Sequence, residues 1–147
     1  MNWEVAHFTF IVKLLAALIA GLVIGLEREF KGKSAGIKTN GLVALGSAIF
    51  VLASLEFHGE DFVDITRVLS QVVTGIGFLG AGVILQQREK VKGLTTAATI
   101  WCSAAIGCLA ALGMFPELLI TTLLVVTVNL LFGFIDSKIE SRNRKKP

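Results

Sequence analysis

The chain has 147 residues, of which 54% are hydrophobic and 17% are charged, with a formal net charge of +3. Soluble domains carry about 25% charged residues, so this composition excludes an ordinary water-soluble domain and is typical of a protein with several membrane-spanning helices. Spans of about 20 residues consume nearly the whole length. We therefore predict an all-α fold and a single transmembrane domain over residues 1–147.

The first two apolar segments carry small residues at helical spacing. The predicted first span covers residues 8–26, and its Lys13 is close enough to the membrane surface for the ammonium to reach water. Gly21 and Gly25 lie four positions apart on one face, which allows another helix to approach closely. The predicted second span covers residues 41–57.

The third predicted span, residues 68–85, is unusually rich in glycine. Its glycines are Gly75, Gly77, Gly80 and Gly82. Each glycine inside a helix costs about 0.5–1 kcal/mol relative to alanine, so four of them need an explanation. One explanation is close helix packing, and the other is a broken helix whose backbone groups face a polar cavity.

Two further spans are predicted over residues 96–112 and 118–135, separated by a break at Pro116. Asn129 lies inside the last of them, where a polar side chain more often joins helices than binds a ligand. The tail, residues 136–147, is basic.

Basic residues are concentrated in three segments, which predicts the orientation of the chain. Four Lys and Arg residues lie between Arg28 and Lys38, three between Arg88 and Lys92, and five in the tail. Five spans place these segments on one side of the membrane. The positive-inside rule then makes the carboxy terminus and its tail cytoplasmic and the amino terminus external.

The first two helix hairpins also resemble each other in sequence. Each has Arg-Glu in its charged turn, at residues 28–29 and 88–89, followed by Gly-Ile-Lys-Thr or Gly-Leu-Thr-Thr. Because both hairpins enter and leave on the same side, we predict a parallel internal repeat about an axis along the membrane normal.

Candidate residues for binding an ion, a ligand or a partner lie near the ends of these hairpins. They are Glu27, Arg28, Glu29, Lys38, Thr39, Asn40, Arg67, Gln71, Thr95, Thr96 and Trp101. Carboxylates such as Glu27 and Glu29 suit a hard, hydrated cation such as magnesium. The alternative is that Glu27 with Lys31, and Glu29 with Lys33, form ordinary ion pairs four residues apart. The sequence therefore predicts no firm metal site.

No catalytic constellation is evident. Both histidines, His7 and His58, lie outside the predicted spans, and no serine or cysteine has a base near it in sequence. We expect a protein that is not an enzyme and has no cofactor, with magnesium as its only candidate ligand or substrate.

Four segments resemble the MgtC/SapB family of bacterial inner-membrane proteins. They are GLVIGLERE at residues 21–29, GIKTNGLVALGS at 36–47, RVLSQVVTGIGFLGAGVI at 67–84 and VKGLTTAATIWCSAAIG at 91–107. The resemblance implies a location in the inner membrane and a role in magnesium homeostasis and adaptation to low magnesium. It also implies an association with virulence. Some members regulate other membrane proteins, including the ATP synthase and other ATPases such as P-type ATPases.

The resemblance leaves two functions open. We expect a non-enzymatic regulator of membrane partners, and the alternative is a divalent cation transporter or channel.

The chain departs from the family pattern in two places. Lys38-Thr39-Asn40 stands where the family usually has Arg-Thr-His, so a planar guanidinium and a titratable group are missing. Longer members carry a soluble carboxy-terminal domain, so we expect the short, membrane-only form. The expected partners are the bilayer, other membrane proteins and a second copy of the chain, and not nucleic acid.

Overall fold

Each predicted span overlaps one helix, and the first and last helices extend beyond the predicted bounds. The computed structural model describes residues 3–59, 64–87 and 90–143. In this part of the chain the elements are α1 (Trp3–Phe30), α2 (Ile37–Leu55), α3 (Thr66–Gly82), β1 (Leu85–Gln87), β2 (Lys90–Lys92), α4 (Leu94–Leu112) and α5 (Phe115–Asn143). The predicted helical fold with five helices is confirmed.

Four helical segments are long and apolar enough to cross a membrane. They are Val5–Phe30, Ile37–Leu55, Leu94–Leu112 and Phe115–Gly133. α3 is not among them. It has 17 residues, one fewer than the predicted third span, and it begins two residues earlier and ends three residues earlier, at Gly82. α3 is continuous through Gly75, Gly77 and Gly80 and ends at the fourth glycine, Gly82.

The second charged turn contains a short β-hairpin, which the sequence analysis did not predict. Leu85 pairs with Lys92 and Gln86 with Val91 in an antiparallel register. Leu85, which was assigned to the third span, therefore belongs to a strand. The repeat of the first two hairpins stays a prediction, since Arg88 and Glu89 lie outside the described residues.

Helices α1, α2 and α4 form the centre of the molecule because small residues let their backbones approach. A Cβ atom added to Gly21 of α1 would lie 2.5 Å from the carbonyl oxygen of Asn40, and one added to Gly25 would lie 2.5 Å from the Cα of Ile37. A Cβ atom on Gly107 of α4 would overlap the carbonyl oxygen of Ala44 in α2. The main apolar core lies around these contacts and contains Ala17, Ala20, Ile24, Ala48, Val51, Leu52, Ile106, Ala110, Ala111 and Leu118.

The glycines of α3 have a different environment. Gly80 faces α4, where an added Cβ atom would meet the Cβ of Ala97 at 3.6 Å. An added Cβ atom at Gly75, Gly77 or Gly82 would meet no other described atom within 4 Å. Helix packing within the chain therefore explains Gly80, but not the other three glycines.

We predict that Gly107→Ala destabilises the protein whereas Gly77→Ala does not. The first substitution forces α2 and α4 apart at a cost of about 1–3 kcal/mol, while the second adds a methyl group to open space and improves helix propensity by about 0.5–1 kcal/mol. Thermal unfolding of both purified variants in detergent measures the difference. Equal losses of stability would contradict the close contact at Gly107.

The amino terminus of α3 is fixed by Asp64. Its Oδ1 accepts hydrogen bonds from the backbone N–H of Thr66 at 2.9 Å and from the Thr66 hydroxyl at 2.6 Å. These two hydrogen bonds, the hydroxyl one first, lower the pKa of the Asp64 carboxyl. The ionised form therefore stabilises this turn above the ordinary pKa of aspartate, and the stabilisation is lost as the pH falls through the lowered pKa.

We predict that the amide chemical shift of Thr66 titrates with a midpoint below the ordinary aspartate pKa of about 3.9. NMR of the protein in detergent over an acid pH series measures this midpoint. Asp64→Ala should abolish the titration, and a midpoint at or above the ordinary value would contradict the assigned hydrogen bonds.

Candidate functional site

The predicted site residues separate into a buried group, an exposed group and a groove group. Glu27, Arg28, Asn40 and Thr96 are buried where the end of α1 meets the beginnings of α2 and α4. Glu29 lies beside them and is exposed. The exposed group consists of Lys38, Thr39, Thr95 and Trp101. The groove group consists of Arg67 and Gln71 on α3.

Arg28 is the centre of a buried hydrogen-bond network. Its side chain is only 4% exposed, and Nη2 donates to the hydroxyl of Thr96 at 2.6 Å. The same nitrogen lies 3.5 Å from the carbonyl oxygen of Ser34, whose hydroxyl is 3.3 Å from that of Thr96. A hydrogen bond from a charged donor contributes about 1.5–3 kcal/mol. Arg28 therefore fixes the position of α4 against α1.

Asn40 continues the network into α2. Its Nδ2 donates to the carbonyl oxygens of Ala35 at 2.6 Å and Gly36 at 3.0 Å, while its Oδ1 accepts from the hydroxyl of Ser103 at 2.8 Å. An amide supplies donors and an acceptor without a charge, which suits a side chain with no exposed surface. Asn40 thus joins the turn before α2 to α4, and its neutrality follows from this environment.

Two polar members of the network were missed from the sequence, namely Ser34 and Ser103. Ser103 lies seven residues after Thr96, which is two helical turns, so both point from the same face of α4. This spacing was the available signal. Ser34 lies in an irregular turn, and no periodicity marks it.

Glu29 and Glu27 form different contacts. The carboxylate of Glu29 accepts the backbone N–H of Ile37 at 3.2 Å, at the amino terminus of α2, where the helix dipole favours a negative charge. The expected pair of Glu29 with Lys33 is absent from the ion pairs of the described residues, whereas Glu27 and Lys31 form theirs at 2.9 Å. The ordinary ion-pair interpretation therefore holds for Glu27 alone.

Lys31 also connects α1 to α5. Its Nζ donates to the carbonyl oxygen of Asn129 at 2.9 Å and lies 3.5 Å from that of Leu130. Three side-chain atoms in the described region are buried without a hydrogen-bond partner, namely Glu27 Oε2, Arg28 Nε and Asn129 Nδ2. Such atoms each cost about 1–3 kcal/mol, so this end of the bundle retains unused hydrogen-bonding capacity.

Metal ligands of the usual side-chain types are sparse. Among the described residues no group of three His, Cys, Asp or Glu side chains could hold a metal ion. Glu27 and Glu29 have different partners. Glu29 accepts a hydrogen bond from the start of α2, while Glu27 pairs with Lys31. The two carboxylates do not form a joint site.

A large apolar groove separates α2 from α3. Its volume is about 750 Å³. Arg67 and Gln71 line it near the start of α3, and the other lining residues are Leu42, Val43, Gly46, Ser47, Phe50, Val68, Val72, Gly75, Ile76 and Leu79. On α2 the lining residues run from Leu42, two residues after Asn40, to Phe50, so one end of the groove lies close to the buried network.

Comparison with known proteins identifies the family. The chain matches the MgtC family over residues 14–138. It belongs to the MgtC family. It is 46% identical over 131 residues to Protein MgtC of Salmonella typhimurium, covering 89% of this chain and 55% of the relative. It is 46% identical over 118 residues to Protein MgtC of Brucella abortus, covering 80% of this chain and 49% of the relative.

A third relative comes from Synechocystis. An uncharacterized protein of Synechocystis is 42% identical over 130 residues, covering 88% of this chain and 53% of the relative. The chain therefore spans about half the length of the curated relatives it matches. No solved structure matches the chain. The family and the apolar helices together make this a membrane protein.

We predict that Thr96→Val destabilises the protein by about 1.5–3 kcal/mol, because the buried Arg28 guanidinium loses its acceptor. Thr95→Val is the matched control, since Thr95 is exposed and surface substitutions usually stay within about 0.5 kcal/mol. Denaturation by SDS in mixed micelles measures both. Equal stability of the two variants would refute the network.

Proposed function

We propose that this chain is an inner-membrane protein of magnesium homeostasis that acts as a non-enzymatic regulator of other membrane proteins. The proposed orientation has the amino terminus outside and the carboxy terminus in the cytoplasm, on the strength of the three basic segments. Its partners would be membrane proteins such as ATPases, by family resemblance. The observation that carries the proposal is the apolar groove between α2 and α3.

The groove has the properties of a contact surface for a partner's transmembrane helix. It is lined almost entirely by apolar side chains and has a glycine on each wall, Gly46 and Gly75. Neither glycine has another described atom within 4 Å of an added Cβ. Such small residues let a second helix approach closely in a membrane, and Arg67 at one end offers a donor to an acidic or phosphate group.

The buried network also supports a regulator rather than a transporter. A transport pathway needs polar groups that face a water-filled opening. Arg28, Asn40, Thr96 and Ser103 are buried and hydrogen-bonded to one another or to the nearby backbone. These contacts favour a structural role, in which the network holds neighbouring helices together. Among the described residues, the buried Glu27 favours cation transport, since its Oε2 has no hydrogen-bond partner.

We predict that Gly75→Leu abolishes support of growth at low magnesium, while Gly77→Leu retains it. Both substitutions enter space that is open within the chain, but only Gly75 lines the groove. The measurement is growth of the bacterium that carries this chain, with its own copy replaced by each variant. Membrane levels of both variants, measured by immunoblot, serve as the control.

A flux experiment separates the proposed regulator from a transporter. Magnesium entry into liposomes that contain the purified protein should equal entry into empty liposomes, for the wild type and for the double variant Glu27→Gln, Glu29→Gln. Magnesium flux in the wild type that disappears in the folded double variant would show transport and contradict the proposal of a regulator. Equal growth of the Gly75→Leu and Gly77→Leu strains would independently contradict the proposal that the groove binds a partner helix.

A further inference from the structure

The ammonium group of Lys31 lies among oxygen atoms contributed by two helices. Glu27 Oε1 of α1 is 2.9 Å from Nζ, the carbonyl oxygen of Asn129 in α5 is also 2.9 Å away, and that of Leu130 is 3.5 Å away. A Cβ atom on Gly133 would come within 2.7 Å of Nζ, so this glycine leaves room for the ammonium beside α5. The structure thus holds a positive charge in a cluster of a carboxylate and backbone carbonyls.

This cluster has acceptor capacity that Lys31 does not use. Glu27 is 8% exposed, and its Oε2 is buried without a hydrogen-bond partner. A carboxylate has about four acceptor positions, and Lys31 occupies one oxygen only. Carboxylate and carbonyl oxygens are the ligands that hard metal cations prefer, and magnesium is commonly held by one or two carboxylates while it keeps several waters.

Lys31 is able to leave the cluster. Its side chain is 29% exposed, and a lysine stem is long and flexible with a strongly hydrated head. Departure of the ammonium would leave the charge of Arg28 as the positive charge close to the buried Glu27 carboxylate. A metal cation would replace the charge that Lys31 had supplied. The lysine and a metal ion would therefore compete for the same oxygen atoms.

We propose that Glu27 and the α5 carbonyls of Asn129 and Leu130 form a binding site for a hydrated, oxygen-preferring metal cation such as magnesium, with Lys31 as its resident competitor. The inference rests on the proposed function in that a regulator of magnesium homeostasis needs a site that responds to the cation. Competition by a tethered charge keeps the affinity low, on the order of millimolar, as for the weaker protein sites for divalent cations.

The test uses Mn²⁺ as a paramagnetic probe for magnesium, with the full chain purified in detergent. Lys31→Met removes the competing charge but keeps the length of the side chain, so Mn²⁺ should bind about tenfold more tightly than to the wild type. Added Mg²⁺ should displace the Mn²⁺, as measured by electron paramagnetic resonance. Adding Glu27→Gln to Lys31→Met should abolish binding. Lys33→Met, an exposed lysine two residues further on, is the matched control and should behave as the wild type.

A second measurement covers the case in which Lys31→Met does not fold. In the wild type, acylation of Lys31 by an amine-reactive reagent, followed by mass spectrometry, should accelerate as Mg²⁺ is added, while that of Lys33 should not. A rate for Lys31 that is independent of Mg²⁺ overturns the proposal, as does equal Mn²⁺ affinity of folded Lys31→Met and wild type. Neither assay involves a partner protein or the groove, so failure here leaves the growth result for Gly75→Leu and Gly77→Leu unaffected.

Discussion

The structure depends on the close approach of three helix backbones. Gly21 and Gly25 bring α1 against α2, and Gly107 brings α4 against α2. In a membrane the hydrophobic effect does not drive helices together, since lipid chains are as apolar as the side chains they would replace. Dispersion contacts and hydrogen bonds between helices take over that role, and both require the short separations that these glycines permit.

The polar network follows from this geometry. Because α1, α2 and α4 are close together, the side chains of Arg28, Asn40 and Ser103 reach partners on neighbouring helices. Each polar group is removed from water by the same packing, so each needs its partner. Helices α3 and α5 are attached to this centre more loosely. The groove therefore lies where the loosely attached α3 meets the central α2.

The helices and the family could be predicted from the sequence, because long apolar runs and the quoted motifs are local signals. The end of α3 could not, since Val83 to Leu85 continue the apolar run and hydropathy does not distinguish the end of a helix from an apolar strand. The contact of Arg28 with Thr96 joins residues 68 positions apart, and no spacing rule reaches that far. Lys13 is a third case. Its Cε would lie 3.5 Å from a Cβ atom added to Gly113, and the helical pattern of the sequence does not reveal this neighbour.

The neighbours of the α3 glycines could not be predicted, for a related physical reason. A small residue indicates room for a neighbour, but the pattern does not say whether the neighbour is in the same chain. Gly80 has its neighbour in Ala97, whereas Gly75 lines an open groove.

The shortness of α3 has a consequence for the lipid around it. With 17 residues at 1.5 Å each it is about 26 Å long, whereas the hydrocarbon core of a bilayer is about 30 Å thick. Lipid beside a helix that is too short compresses to match it, at a cost of fractions of a kcal/mol per Å. A neighbouring protein that covered α3 would relieve this hydrophobic mismatch, so the elasticity of the bilayer itself would add to any attraction at the groove.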